Sequence, residues 1–179
     1  LELALEHNMK RETAVTYGNI GLVSEKMGEY ADSIDSFNAP LSVSLEIGDK
    51  LLGMTSYGNL STAYSSLGLF EKMLETALEY KRMAEELPAH HDILLAYHQL
   101  ALYHLTEGSL DKAGKLAEKC IELSRKSSFE REEAFALTLL SLISIEEKND
   151  KSAADMLLKA EKLARKVHAK SLLLDILII

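Results

Sequence analysis

The sequence predicts an all-α solenoid of antiparallel helical hairpins. Two observations carry this: a motif recurring at a fixed 40-residue offset, and apolar residues spaced three and four apart on both sides of a recurring glycine. Tyr17-Gly18-Asn19-Ile20-Gly21 returns as Tyr57-Gly58-Asn59-Leu60-Ser61, then as Tyr97-His98-Gln99-Leu100-Ala101, and more faintly as Leu137-Thr138-Leu139-Leu140-Ser141. The same step links Gly28, Gly68 and Gly108 with Lys148, and Phe37, Ala77 and Ala117 with Leu157, without an insertion. With 47% hydrophobic and 27% charged residues over 179 positions, the chain has the composition of one that buries a core.

Taken in order, the units run over about residues 14–50, 51–90, 91–130 and 131–170, in one solenoid domain spanning 1–179. Their first helices are expected at 14–26, 52–66, 91–106 and 131–147, and their second helices at 30–47, 70–86, 110–126 and 151–167. Gly28, Gly68 and Gly108 suit the exit from each first helix, where a left-handed residue closes the turn, and Lys148-Asn149-Asp150 replaces the glycine in the fourth unit. Gly48-Asp49, Leu87-Pro88, Ser127-Ser128 and His168-Ala169 mark the turns between units, and Pro88 stops the helix before it. Small residues at Gly21, Ser61, Ala101 and Ser141 stand where the two helices of a hairpin approach closely. At the same offset residues 1–13 align with the end of a second helix and 171–179 with the start of a first helix. They are therefore expected as partial repeats of a longer array.

These positions resemble the tetratricopeptide repeat. Unit 1 supplies Tyr17, Ile20, Gly21, Ser24, Gly28, Tyr30 and Ser33 at the family's packing positions, and unit 2 supplies Tyr57, Leu60, Ser61, Tyr64, Gly68 and Phe70. Met73 departs from the pattern, standing where the family has a small residue, with looser packing as the expectation. The 40-residue spacing resembles the extended subtype found in kinesin light chains, spindle-orientation adaptors and sensor regions of bacterial regulators. The resemblance implies a right-handed superhelix of four full repeats plus a partial repeat at each end, and a protein-binding role with no specified partner.

In such arrays the first helices line the concave face. Asn19, Asn59 and Gln99 then form a row of amides, broken at Leu139, and amide ladders in this family hold the backbone of an extended peptide. A primary amide both donates and accepts, which suits a backbone of any sequence; the competing reading is a solvated polar face. Gly18 and Gly58 fall on the expected groove side, where a helix-interior glycine would admit close approach of a ligand. Around them Thr62 marks a small, polar stretch, whereas Leu102, Leu139 and Leu142 mark a greasy one, so the expected partner is an amphipathic peptide or helix. His98 is expected in the groove as a mildly pH-sensitive contact. Lys26 is the sole fixed positive charge among the groove positions, which leaves no clamp for an acidic carboxy-terminus.

Other chemistry is weighed and set aside. The net charge of -8 opposes binding of a phosphate backbone, so no nucleic-acid partner is expected. The acidity is uneven: residues 1–110 carry 7 Lys or Arg against 16 Asp or Glu, and residues 111–179 carry 13 against 12. The apolar segment 171–179 is too short to cross a membrane, and no membrane partner is expected, but it offers a sticky surface for homodimerisation. His90, His91, His98 and His104 make no metal-ligand set, Cys120 falls at a packing position, and no acid, base and nucleophile assemble. The expectation is a non-enzymatic cytoplasmic scaffold without metal or cofactor. The alternative is the sensory or regulatory region of a larger bacterial signalling protein, such as a kinase, nucleotide cyclase or transcription regulator. The basic run Lys159, Lys162, Arg165, Lys166 and Lys170 reads most simply as a solvated outer face, with an acidic-partner patch as the minority reading.

Overall fold

The structure is a computed structural model that describes residues 2–179, with side chains for 5–174 and 176–179. Among these residues the regular structure is helical: α1 (Glu2–Met27), α2 (Tyr30–Ile47), α3 (Lys50–Ser66), α4 (Phe70–Glu86), α5 (His90–Thr106), α6 (Leu110–Ser127), α7 (Glu130–Glu146), α8 (Asp150–Lys166) and α9 (Lys170–Ile178). From α2 onward each helix begins 20 residues after the one before, at 30, 50, 70 and so on to 170. The 40-residue sequence period is thus two arms of equal length.

The turns enforce that equality. Gly28, Gly68 and Gly108 take φ of 81°, 70° and 75°, and Lys148 takes 58° at the same place in the fourth hairpin. Each turn then closes with an N–H to C=O bond five residues back: Glu29 to Ser24 at 2.9 Å, Leu69 to Tyr64 at 2.9 Å, Ser109 to His104 at 2.8 Å and Asn149 to Ser144 at 2.8 Å. The turns between hairpins use the same closure, as in Asp49 to Ser44 at 3.0 Å and Phe129 to Ser124 at 2.9 Å. Pro88 lies just past α4, which ends at Glu86.

The chain divides into two compact units, Leu1–Asp92 and Ile93–Ile179. In the first, α1, α2, α3 and α4 each pack on the next. In the second, α5 meets α6 through Leu94 with Cys120 and Ala101 with Ala117, and α6 to α9 again pack in sequence. Second helices bury one stripe, such as Met73, Ala77, Tyr80 and Ala84 in α4. The first helices α3 and α7 bury two sides, because each lies between its own second helix and the preceding one. Leu60 of α3 sits against Phe37 of α2, for example, while Ser61 donates to the carbonyl of Met73 in α4 at 3.3 Å. Met73 is fully enclosed, so the feature that departs from the small-residue pattern is accommodated within the core.

One expectation is corrected at the amino-terminal side. Residues 2–13 do not end a separate second helix; they run without a break into α1. Asn8 and Met9 stand where the register has Gly48 and Asp49, and with no glycine to open the chain the helix continues. Lys10 pairs with Glu46 at 2.7 Å and Arg11 with Asp49 at 2.7 Å, fastening this segment along α2 and its turn. At the other end α9 takes the place of a first helix, and Leu172 and Ile176 are buried with Ala160 and Ala164. Leu174, Leu177 and Ile178 remain exposed.

Candidate binding surface of the first helices

In the first unit, α1 presents Asn19 to solvent with Val15 and Leu22 beside it at i−4 and i+3, each 40% exposed. Asn59 of α3 occupies the equivalent position and is half-buried. Thr62, one turn further, is exposed and donates through Oγ1 to the carbonyl of Gly58 at 3.1 Å. A helical threonine bonded this way spends its hydroxyl proton on its own helix. The unit therefore offers amides flanked by aliphatic side chains.

The two glycines expected to open this surface differ. A Cβ added to Gly18 would meet nothing within 4 Å. At Gly58 it would lie 2.9 Å from Cζ of Tyr80, so this glycine is buried against the second helix of its own hairpin and is no part of an open groove. The cause is the size of Tyr80, whose hydroxyl donates to Oδ1 of Asp92 at 2.7 Å. Burial, with Asp92 alongside, raises the phenol pKa. The sequence signal for this contact was the large residue at 80 opposite a missing side chain at 58.

In the second unit, Gln99 is half-buried on α5, and Leu102 and Leu142 are half-buried on α5 and α7. Leu139 is not on the surface: it is 3% exposed and packs with Ala101 and Ala117, with Leu102 and Leu105 against the same cluster. The two small alanines let α7 close down on α5 and α6, which draws Leu139 inward. His98 is likewise no free groove contact. Its ring lies 5.4 Å from that of Phe135, in a recess with Leu94, Leu95 and Cys120 whose volume of about 10 Å³ is room for no more than a water. Burial depresses its imidazole to about 4, so it stays neutral at physiological pH. Burial also pushes the Cys120 thiol up to about 12, the behaviour of an inert core cysteine.

Residues 94–127, which are α6 and all but the start of α5, match the family model described as tetratricopeptide repeat. This hairpin is a tetratricopeptide repeat. Of the expected site residues, the repeat carries His98, Gln99 and Leu102. The fold around it is similar to that in the crystal structure of BtubC (BKLC) from P. vanneervenii, with a TM-score of 0.73 at 13% identity over 87% of this chain. The present chain covers 64% of the length of that neighbour, and at this identity the likeness is one of fold. Among curated proteins none matches the sequence. Among the described residues no helix is long and apolar enough to cross a membrane.

Proposed function

We propose that this chain is a protein-interaction module whose first unit takes up an extended peptide along α1 and α3, with Asn19 and Asn59 bonding the peptide backbone. Tetratricopeptide repeats are generally protein–protein interaction modules, which sets the class of partner. The observation that carries the finer reading is the pairing of an exposed Asn19 with open space over Gly18, one residue away on the same helix. A peptide backbone needs donors, acceptors and close approach, and the two residues together offer all three. In the second unit Gln99 is the equivalent amide.

Two amide contacts at about 1 kcal/mol each fall far short of the roughly 8 kcal/mol of a micromolar complex. Val15 and Leu22, exposed on the same face as Asn19, supply apolar contact for the remainder, so the favoured peptide places aliphatic side chains beside its bonded backbone. The test is a partner or peptide-library pull-down comparing the parent with Asn19→Ala/Asn59→Ala. The double variant should fold normally by circular dichroism and bind its peptides about tenfold or more weakly, the loss set by two bonds of that size. Undiminished capture by the double variant would refute the amide row.

A further inference from the structure

In the second unit α6, α7 and α8 enclose a cavity of about 460 Å³ that opens to solvent. Its apolar floor comes from Leu137, buried in α7, and Leu163 of α8. Four cations stand round it, Arg125, Lys159, Lys162 and Lys166, against the single carboxylate of Glu133. That carboxylate is held by Arg125 at 2.7 Å, and Lys166 is taken up by Glu130. Lys159 and Lys162 have no acidic partner among the described residues. In a chain of net charge -8, this is a local reversal of sign.

The first unit contains its own control. At the equivalent place, 80 residues earlier, α2, α3 and α4 enclose a smaller cavity of about 220 Å³, with Tyr57 in place of Leu137 and Met83 in place of Leu163. There the positions of Lys159, Lys162 and Lys166 hold Glu79, Arg82 and Glu86. Arg82 bonds Glu79 at 2.8 Å and Glu86 at 2.5 Å, and Lys50 bonds Glu86 at 3.2 Å, so the earlier cluster is balanced in charge. The later one replaces both carboxylates with lysine, doubles the cavity and lines it with two leucines. At 166 the exchange keeps an ion pair, since Glu130–Lys166 is the earlier Lys50–Glu86 pair with its charges swapped. Lys159 and Lys162, like charges three apart on a helix, destabilise it slightly, so folding alone gives no reason for the exchange at 159. An anionic ligand does.

The shape of the row narrows the ligand. The cavity lining along α8 has the two uncommitted cations at one end and Lys166, paired to Glu130, at the other. At about 1.5 Å per residue, this lining from Lys159 to Lys166 spans roughly 10 Å of the helix. That exceeds a single carboxylate and equals about three residues of extended peptide at 3.3 Å each. We propose that this cavity binds an acidic peptide segment, which seats one apolar side chain on Leu137 and Leu163 and lays its carboxylates along Lys159 and Lys162. The site is separate from the α1 and α3 surface and stands or falls independently of it.

The experiment is fluorescence anisotropy of the full chain with a labelled peptide in which glutamates flank one leucine. Saturable binding that weakens as salt rises is expected. K159E/K162E should lower affinity about tenfold or more, because it sets two charges against the ligand. L163S should lower affinity severalfold while leaving the salt dependence in place, and K115E, a reversal elsewhere on α6, should change nothing. Both lysines are at or near the surface, so K159E/K162E will fold, as its thermal melt will verify. Equal binding by K159E/K162E overturns the proposal. So does equally tight binding of an all-glutamate peptide or an oligonucleotide of the same charge, since either would make the patch a general polyanion surface without a leucine seat.

Discussion

Single positions in this chain are tuned in pairs across each hairpin. Residues 22 apart occupy matching places on the two helices of a hairpin: Gly18 with Pro40, Gly58 with Tyr80, His98 with Cys120 and Thr138 with Ala160. Gly58 meets the Tyr80 ring and His98 shares a recess with Cys120, a larger partner answering a smaller one in each, whereas Gly18 has open space over it. Gly58→Ala should therefore destabilise by about 1–3 kcal/mol, since the new methyl meets the Tyr80 ring and the bond to Asp92 resists a swing of that ring. Gly18→Ala should instead stabilise by about 1 kcal/mol through helix propensity alone. Denaturant unfolding of the two variants side by side decides this, and a common sign for both would contradict the pairing. His98 gives a second residue-scale outcome. Its folded pKa, about 4, lies below the unfolded value near 6.5. The unfolded chain therefore binds the proton first, and stability is complete above pH 6.5 and falls as the pH drops toward 4. Because His98 is half-buried, the loss, discounted for solvent screening, is roughly 2 kcal/mol. His98→Leu should remove it, visible as a flatter dependence of Tm on pH.

The helices were legible to within a few residues because each turn has its own chemical mark: a left-handed glycine at Gly28, Gly68 and Gly108, and Pro88 beyond α4. Where the mark is missing the register misleads. At Asn8-Met9 the offset expects a turn, but neither residue favours one strongly enough to break a helix whose side chains are fastened to α2 and its turn. Asp49 is central to this fastening. One carboxylate oxygen caps α3 by accepting from the Leu52 N–H at 3.0 Å, and the other receives Arg11 at 2.7 Å. Partial burial works to raise its pKa, but the Leu52 N–H and Arg11 together outweigh that and hold it lowered. Its contribution is therefore full above the ordinary carboxylate pKa and lost as the pH falls through the lowered value. Asp49→Ala should cost about 1–2 kcal/mol at neutral pH, and Asp49→Asn, which keeps a capping oxygen but loses the ion pair, well under 1 kcal/mol. Thermal melts of both at neutral and acid pH test the assignment: the Ala penalty must shrink in acid, and a penalty that stays constant would place it elsewhere.

At the scale of the whole chain, periodicity revealed the architecture but not which side chains stay accessible. The offset treats Asn59, Gln99 and Leu139 as equivalents, yet Leu139 is in the core, because accessibility depends on neighbours such as Ala101 and Ala117 that lie far away in sequence. The lysine-lined cavity was hidden for a related reason: a basic run reads as a solvated face until Leu137, from another helix, is found beneath it. The same dependence on neighbours grades stability along each unit. A helix in a linear array is held by the elements on either side of it and by little else. α3 and α7 are covered on two sides, whereas Ile20 on α1 is 48% exposed and its counterpart Leu60 on α3 only 1%. α9 buries Leu172 and Ile176 against α8 and leaves Leu174 and Leu177 open. Local opening should follow this coverage. Native-state hydrogen exchange should find the slowest amides in the middle of α3 and α7, with those of α9 and the first turns of α1 faster by about 100-fold or more, a gap of a few kcal/mol in opening free energy. Replacing buried Ile176 with alanine should accelerate α9 further and leave α3 untouched. If every helix instead exchanged at one common rate, the chain would be opening only as a single cooperative body, and the neighbour-by-neighbour account of its stability would be wrong.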